Sequence, residues 1–179
     1  MRKIVAGLFI SLDGVIEDAN EWTGPYFNAE VGQAVGSMIA AQDAMLLGRV
    51  TYDAFAAHWP HQTGNMADTM NGAAKYVVSG TLTAADWQNT TLIPRDRAAE
   101  QIAELKQQPG KNIGMTGSGT LVSWLLREGL LDELHLLVFP IVLGHGKRLF
   151  ADPGDKVPLK LAGSAAFETG VLNLTYTRA

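Results

Sequence analysis

The sequence NIGMTGSGTLVSWLL, residues 112–126, carries the pattern that decides the fold. Its apolar run 113–115 predicts a buried strand, Gly117, Ser118 and Gly119 predict a tight turn, and residues 120–127 predict a helix with one apolar stripe. A strand, a glycine turn and a helix start in succession offer free backbone N–H groups to an anion. Because Val122 stands where a dinucleotide fingerprint has its third glycine, the alternative is a tight connection that binds nothing.

The composition is typical of one well-packed globular domain. The chain has 179 residues, of which 47% are hydrophobic and 18% are charged, so we expect a single domain over residues 1–179. A net charge of −4 provides no basic surface for nucleic acid. The absence of cysteine excludes disulfides and thiolate metal sites and is typical of a reducing compartment. The first apolar run, residues 4–12, is too short to span a bilayer and lacks a signal-peptide cleavage pattern, so we expect a cytoplasmic protein without a membrane segment.

Strand and helix signals alternate along most of the chain. The apolar runs predict strands at residues 3–11, 44–47, 75–79, 91–93, 113–115 and 133–142. The 3.6-residue periodicity predicts helices at residues 29–41 with Asn28 as N-cap, from Gly48 through Ala57, at 96–107 and at 120–127. Residues 159–167 and 171–177 alternate in polarity and predict an antiparallel hairpin. The expected fold class is therefore an α/β sandwich with a mostly parallel sheet and an antiparallel edge.

Glycines and hydroxyl side chains follow three of the predicted strands, at residues 48–51, 79–81 and 117–120. Ligands of open α/β sheets bind beyond the carboxyl ends of the strands, and a parallel order would bring all three groups to one edge. Arg49, in the first group, can pair with a phosphate in a bidentate way, which favours NADPH over NADH. The alternatives for Arg49 are a solvated helix start or a salt bridge to Asp53 at i+4.

Two carboxylates and one aromatic residue have both a functional and a structural interpretation. Asp13 follows the first strand and would lie near the same edge, but Asp13-Gly14 is also a favoured turn pair. Trp22, on a polar loop, would either cover an aromatic ligand or attach the loop to the core. Glu30, in the first turn of a helix, stabilises the helix dipole without any chemistry.

The histidines do not predict a metal site. The chain has four, and none has metal-ligand spacing with carboxylates: His58, His61, His135 and His145. We interpret His135, in the middle of a predicted strand, as a satisfied buried or edge residue. Ser118 and Ser123 lack the Gly-x-Ser-x-Gly elbow, which argues against a serine hydrolase.

Five segments carry a pattern beyond these local signals. They are SLDGVI at residues 11–16, LLGRVTY at 46–52, VSGTL at 78–82, GSGTLV at 117–122 and DELHLLVFPIVLGHGKRLF at 132–150. Together they resemble the dihydrofolate reductase-like superfamily, and within it the branch that contains the reductase domain of the bifunctional riboflavin-biosynthesis deaminase-reductase. The last segment is the most specific, and the resemblance covers nearly the whole chain.

The resemblance implies a dihydrofolate reductase-like three-layer α/β sandwich, NADPH as hydride donor, and pairing into a homodimer. By this resemblance, the adenosine end and phosphates of NADPH would bind at Gly48, Arg49, Thr51, Ser79 and Thr81. The pyrophosphate would meet Gly117, Ser118, Gly119 and Thr120, and the nicotinamide would lie against Ile16.

The implied substrate is a small planar heterocycle, pterin- or pyrimidine-like. Asp13 and Glu30 are the candidates for anchoring it or supplying a proton, and Trp22 and Tyr52 are candidate walls of its pocket. Asn28 stands near the place where folate-reducing members carry a carboxylate, so the cofactor half of the site matches better than the substrate half. The alternative function is a binding or regulatory protein that keeps the NADPH pocket and has lost the chemistry.

Overall fold

A computed structural model describes residues 1–151, 154 and 156–179 of the chain. Within these residues eight strands form: β1 (Ile4–Ser11), β2 (Gln42–Gly48), β3 (Ala74–Ser79), β4 (Thr90–Pro94), β5 (Asn112–Met115), β6 (Glu133–Phe139), β7 (Leu159–Ala166) and β8 (Leu172–Arg178). The described residues also form six α-helices: α1 (Ala19–Trp22), α2 (Ala29–Ala40), α3 (Arg49–His58), α4 (Asn65–Gly72), α5 (Ala98–Gln107) and α6 (Gly119–Arg127). Short 3-10 turns cover Gly24–Tyr26, Trp59–His61 and Arg95–Arg97.

The described strands form a single sheet in the order β4-β3-β2-β5-β1-β6-β8-β7. All pairings from β4 to β6 are parallel, whereas β8 runs antiparallel to β6 and β7 antiparallel to β8. β1 lies near the middle, where Ala6 is in register with Met115 of β5 and with Leu134 of β6. The predicted α/β fold with a mostly parallel sheet and an antiparallel C-terminal hairpin is confirmed.

The two faces of the sheet pack against different helices. Alternate residues of β1, from Ile4 to Ile10, are buried in one cluster with Ile102 of α5 and Leu125 of α6. On the other face, α2 contributes Val31 to a cluster with Leu137 and Phe139 of β6, while α3 and α4 pack beside β2 and β3. Helices on both faces of the sheet produce the three layers.

Helix α2 begins as predicted and then passes close to β1. The side chain of Asn28 caps it by accepting a hydrogen bond from the N–H of Val31 at 3.1 Å. A Cβ built on Gly7 of β1 would lie only 2.8 Å from Met38 Sδ, so glycine is what lets the helix approach the strand here. The space along this side of the sheet forms the main cavity described below.

Three elements differ from the sequence-based prediction. Helix α1 (Ala19–Trp22) forms within the stretch that was predicted as a polar loop, because four residues are too few to show a helical periodicity. Helix α4 (Asn65–Gly72) was not predicted, because only Ala67 and Met70 of its eight residues are buried and the apolar signal is weak. Strand β6 ends at Phe139 rather than at residue 142, because Pro140 has no N–H to continue the ladder.

A buried lysine connects α4 to β3. Lys75 is 0% exposed, and its Nζ donates hydrogen bonds to the carbonyl oxygens of Met70, Asn71 and Ala73 at 2.9, 3.0 and 2.8 Å. The same Nζ lies 4.1 Å from the ring centre of Trp87. Burial lowers the pKa of Lys75 to about 8. Lys75 therefore satisfies the carbonyl groups at the end of α4 that have no partner within the helix.

Replacement of this lysine should destabilise the fold in a pH-dependent way. We expect Lys75→Met to lower the free energy of unfolding by about 2 kcal/mol, because buried carbonyls lose their donor. Between pH 8 and 10.5 the folded chain binds fewer protons at Lys75 than the unfolded chain, so wild-type stability rises with pH and the gap to the variant widens. Denaturant unfolding on both sides of this window measures the gap.

The matched control is Lys111→Met. Lys111 is exposed, and its side chain donates one hydrogen bond, to the carbonyl of Ala40 at 3.1 Å, so loss of this side chain should cost less than about 1 kcal/mol. Equal losses in the free energy of unfolding for the two substitutions would contradict the role of Lys75 at the end of α4. So would a difference between wild type and Lys75→Met that does not change with pH.

Candidate active site

The three predicted groups of glycine and hydroxyl residues, 48–51, 79–81 and 117–120, form turns after neighbouring strands. These turns are called corners below. β3, β2 and β5 are adjacent and parallel, so the turns that follow Ser79, Gly48 and Met115 leave the sheet at the same edge. A Cβ built on Gly48 would lie 2.5 Å from Ser118 Oγ, and one built on Gly117 would lie 2.8 Å from Thr51 Oγ1. The corners after β2 and β5 are therefore in direct contact, and glycine is required for that approach.

Two helix N-termini face this edge. Helix α3 begins after Gly48 without a side-chain cap. Helix α6 begins after Ser118, whose Oγ accepts a hydrogen bond from the N–H of Leu121 at 3.3 Å, and the peptide bond between Gly117 and Ser118 is cis. Thr120 lies in the first turn of α6. Backbone N–H groups at the start of both helices can bind an anion such as a pyrophosphate.

Arg49 forms the i+4 salt bridge that the sequence offered as an alternative. Its Nη1 lies 3.0 Å from Asp53 Oδ2, and the two side chains are 49% and 46% exposed. A guanidinium has five N–H donors, so this one contact leaves others for a phosphate. The ion pair is compatible with both interpretations of Arg49.

The corner after β3 opens into a cleft of about 680 Å³. Ser79 Oγ shapes the corner by accepting hydrogen bonds from the N–H groups of Thr81 and Leu82, at 3.1 and 3.0 Å. Arg95, directly after the carboxyl end of β4, lines the same cleft together with Ser79 and Gly80. Arg95 was not predicted as a site residue because it precedes a predicted helix; its position after a fourth parallel strand is the signal that could have indicated it.

The main cavity, of about 670 Å³, runs between α2 and the face of β1, β5 and β6. Ile16 and Thr116 line it near the glycine turn, and a Cβ on Gly119 would collide with Ile16 Cδ1. Glu30 lines it from α2, while His135 and Thr175 line it from β6 and β8. The cavity therefore extends from the glycine turn to a polar wall on the antiparallel side of the sheet.

Asp13 holds two loops together rather than facing the cavity. Its carboxylate accepts hydrogen bonds from Ser11 Oγ at 2.6 Å and from the N–H groups of Leu143 and Gly144 at 3.1 and 2.8 Å. The hydrogen bond from Ser11, followed by those from Gly144 and Leu143, holds the pKa of Asp13 well below its usual range. A carboxylate that stays ionised at neutral pH is a poor proton donor, so this geometry argues against the proton-supply role predicted for Asp13.

Glu30 lies on the cavity wall but is already engaged. Its Oε2 accepts a hydrogen bond from the N–H of Glu168, in the turn between β7 and β8, at 2.8 Å. The same oxygen accepts one from Asn28 Nδ2 at 3.0 Å. Glu30 thus connects the start of α2 to the C-terminal hairpin.

The structure does not support the pocket-wall role predicted for Trp22 and Tyr52. Trp22 is 9% exposed, and its Nε1 donates a hydrogen bond to the carbonyl of Glu17 at 2.9 Å while its ring packs edge-on against Phe139. Tyr52 is 5% exposed, and its hydroxyl accepts a hydrogen bond from the N–H of Trp87 at 3.2 Å. Both are core residues, and neither lines the cavity. For Trp22 the alternative, attachment of the loop to the core, describes what is observed.

The sequence did not predict that polar side chains form one wall of the cavity. Its members are on β6 and β8: Glu133, His135, Asn173 and Thr175. The sequence predicted His135 as a satisfied strand residue, and the signal that could have found the wall is polar alternation along an otherwise apolar strand.

In the described residues no group of three or more histidine or carboxylate side chains is placed to hold a metal ion. Among the helices of those residues, none combines the length and the apolar character needed to cross a membrane.

Comparison with known proteins was made for the whole chain. A family model described as the RibD C-terminal domain matches residues 2–173. The uncharacterized protein YyaP of Bacillus subtilis (strain 168) is 30% identical over 183 residues, which cover 98% of this chain and 94% of that protein.

Two solved structures show a similar fold. The crystal structure of a putative riboflavin biosynthesis protein from Shewanella sp. PV-4 has a TM-score of 0.74 and 24% identity, and the match covers 100% of this chain and 99% of that one. The dihydrofolate reductase from Enterococcus faecalis, complexed with NADP(H) and RAB-propyl, has a TM-score of 0.66 and 13% identity, covering 98% and 96% of the two chains. At these identities the likeness shows the fold, which is dihydrofolate reductase-like.

The role of Asp13 as a loop clamp can be tested by its pH dependence. We expect Asp13→Asn to lower the melting temperature at neutral pH, because the carboxylate hydrogen bonds are lost. Since the folded pKa of Asp13 is depressed, its contribution is complete above the ordinary value of 3.8 and is lost as pH falls below it. The difference in melting temperature should therefore shrink on acidification, as thermal unfolding at a series of pH values would show. The control Glu104→Gln, at an exposed position of α5, should show no such change, and a difference for Asp13→Asn that persists in acid would contradict the clamp.

Proposed function

The chain belongs to the RibD C-terminal domain family, and from this we propose that it is an NADPH-dependent reductase. The substrate would be a small planar heterocycle, pterin- or pyrimidine-like, that receives a hydride at a C=N or C=O carbon. The observation that carries the proposal is the contact between the glycine corners after β2 and β5, beside the hydroxyl corner after β3 and directly after Thr116, which lines the main cavity. A further support is that a structural neighbour of the same fold, the Enterococcus faecalis dihydrofolate reductase, is complexed with NADP(H).

The residues present fit a dinucleotide. Because a Cβ at Gly48 or Gly117 would fill the space between the corners, these glycines leave backbone exposed for a pyrophosphate. We propose that residues 117–120 hold the pyrophosphate, and that Ile16 packs against the nicotinamide. The adenosine end would extend across β3 and β4; the residues proposed to hold it are Arg49, Thr51, Ser79, Thr81 and Arg95.

The chain's own part in the reaction is orientation and exclusion of water. NADPH, when bound, supplies the hydride. Phe9, Ile16 and Met115 line the cavity with apolar surface and would keep water from the reacting atoms. Glu30 offers a carboxylate on the opposite wall that can anchor a ring N–H of the substrate. Asp13 would act on this site through the loop that carries Ile16, whose N–H donates to the carbonyl of Lys147 at 2.9 Å.

We propose a homodimer formed through the edge strand β7. Among the described strands, β7 pairs only with β8, and nearly all of its residues are exposed, including Leu161 at 51%. A long exposed edge strand is a template for pairing with another chain, and a second copy offers the same edge. The lack of cysteine favours a cytoplasmic location for the assembly.

A second candidate function is an NADPH-binding or regulatory protein without catalysis. The observation that favours it is that both predicted carboxylates are engaged: Asp13 in the loop clamp and Glu30 with the N–H of Glu168. Such a protein would bind NADPH but consume none with pterins, pyrimidines or quinonoid compounds.

Arg49 should discriminate between the two nicotinamide cofactors. We expect Arg49→Ala to weaken NADPH binding by about 10- to 100-fold, the range for loss of a charge-assisted hydrogen bond to a phosphate. NADH, which lacks the 2′-phosphate, should be affected much less. Quenching of tryptophan fluorescence, titrated with each cofactor, measures both affinities.

The matched control removes the intramolecular partner of Arg49 instead. Asp53→Asn frees the guanidinium from the ion pair at 3.0 Å and should leave NADPH affinity unchanged or higher. Equal losses for NADPH and NADH in Arg49→Ala would remove the 2′-phosphate role of this residue.

Gly48 should tolerate no side chain if the two corners form the cofactor cradle. The Cβ of Gly48→Ala would lie 2.5 Å from Ser118 Oγ, so the glycine turn must shift, and we expect NADPH affinity to fall by at least about tenfold. The control Gly36→Ala lies on α2, where an added Cβ meets nothing within 4 Å, and should leave binding unchanged. Isothermal titration with NADPH compares the variants, and full affinity in Gly48→Ala would contradict the cradle.

A further inference from the structure

A reduction of C=N or C=O needs a proton as well as a hydride. The hydride adds to carbon, the π-electron pair moves to nitrogen or oxygen, and that atom must be protonated. Neither predicted acid is well placed for this, since Asp13 stays ionised in its loop clamp and Glu30 already accepts two hydrogen bonds. Another group on the cavity wall has to be considered.

The polar wall contains a hydroxyl, an imidazole and a carboxylate in sequence. Thr175 Oγ1 lies 3.4 Å from His135 Nδ1, and His135 Nε2 lies 3.0 Å from Glu133 Oε2. His135 and Thr175 are directly opposite each other in the antiparallel register of β6 and β8, so the backbone fixes their proximity. All three side chains line the main cavity.

The carboxylate of this cluster is ion-paired to a lysine. Lys3 Nζ lies 2.7 Å from Glu133 Oε1, and this hydrogen bond holds the pKa of Glu133 below its usual range. The ionised Glu133 therefore faces Nε2 of His135. In the described residues the other carboxylate that lines the cavity is Glu30 on α2, whereas β8 presents the uncharged Asn173 and Thr175. Of these groups, Glu133 contacts the ring of His135 directly, at Nε2.

The cluster borders the main cavity. Gly7 of β1 is the register partner of His135, and the side chain of Met38 on α2 lies next to this glycine. The His135 side chain is 21% exposed, so it can exchange protons with solvent. A flat ring lying over β1 from the direction of Ile16 would meet this wall at its far edge.

We propose that Glu133, His135 and Thr175 form a proton relay that serves the reduction, with the Thr175 hydroxyl in contact with the substrate. This proposal rests on the proposed reductase function. Thr175 Oγ1 gives its proton to the substrate nitrogen or oxygen and takes one from Nδ1 of the imidazolium. His135 is left neutral, with Nε2–H still donated to Glu133, and regains a proton from water. The heterocycle recognised here presents a hydrogen-bond acceptor atom to the wall.

Binding at the wall can be observed without turnover. We would label the histidines with ¹³C, assign the His135 ring signal with His135→Gln, and add 7,8-dihydropterin or 5-aminouracil to the NADPH-bound protein. We expect at least one probe to shift the His135 signal while those of His58, His61 and His145 stay in place. A His135 signal that neither probe moves would overturn the proposal.

Turnover of the bound probe tests the relay itself. At saturating NADPH, Thr175→Val and His135→Gln should each slow hydride transfer by about 10²-fold or more, with NADPH affinity unchanged, and Thr175→Ser should restore most of the rate. Since the two residues act as a unit, the double variant should be no slower than His135→Gln alone. The control Thr177→Val, which lies opposite Glu133 on β8, should keep the wild-type rate.

The pH profile separates a relay from a packing role. The wild-type rate should fall as pH rises, because the relay starts from a protonated imidazole, and His135→Gln should remove that limb of the profile. Wild-type rates in Thr175→Val and His135→Gln, or a bound probe that the wild type does not reduce, would overturn the relay. Failure of NADPH to raise the melting temperature would instead overturn the proposed function.

Discussion

The parallel pairing of four neighbouring strands is the constraint on which the site depends. β3, β2, β5 and β1 are hydrogen-bonded in that order and run in one direction, so the turns that follow them must leave the sheet at one edge. If any one of these strands ran the other way, its turn would lie at the opposite edge. The buried cluster that includes Ile4, Leu46 and Ile113 stabilises this arrangement. The turns are therefore free to consist of glycine and hydroxyl residues that add little to the core.

Much of this arrangement was predictable from the sequence, because it follows from local patterns. The apolar runs and the N-cap at Asn28 predicted the strands and α2, and the chain order of strands and helices predicted the parallel sheet. The resemblance to the dihydrofolate reductase-like superfamily is confirmed by the family match and the structural neighbours. Helix α4 was missed since its contacts are made by few residues and by Lys75, whose three carbonyl acceptors no sequence pattern indicates.

Side-chain roles were less predictable because they depend on contacts between distant residues. Trp22 was ambiguous in the sequence, and only the position of Phe139, on a strand more than a hundred residues later, makes it a core residue. The role of Asp13 likewise depends on Leu143 and Gly144, whose N–H groups donate hydrogen bonds to it from the loop after β6. The sequence predicted His135 as a satisfied strand residue, and both of its ring nitrogens do have neighbours. What the sequence did not indicate is that one of those neighbours lies on an antiparallel strand that borders the cavity.

The carboxylates of Asp13 and Glu133 have different roles for a physical reason. A carboxylate that accepts two or three hydrogen bonds from fixed donors is a strong clamp and, because its pKa is lowered, is seldom protonated and so is a poor proton donor. Asp13 satisfies the first role and thereby loses the second. Glu133 differs because one of its oxygens faces Lys3 and the other faces an imidazole that can change its charge. The carboxylate of Glu133 therefore holds an imidazole in place instead of a loop. The antiparallel strand β8 matters for the same reason, since it is the register of β8 with β6 that places a hydroxyl next to that imidazole.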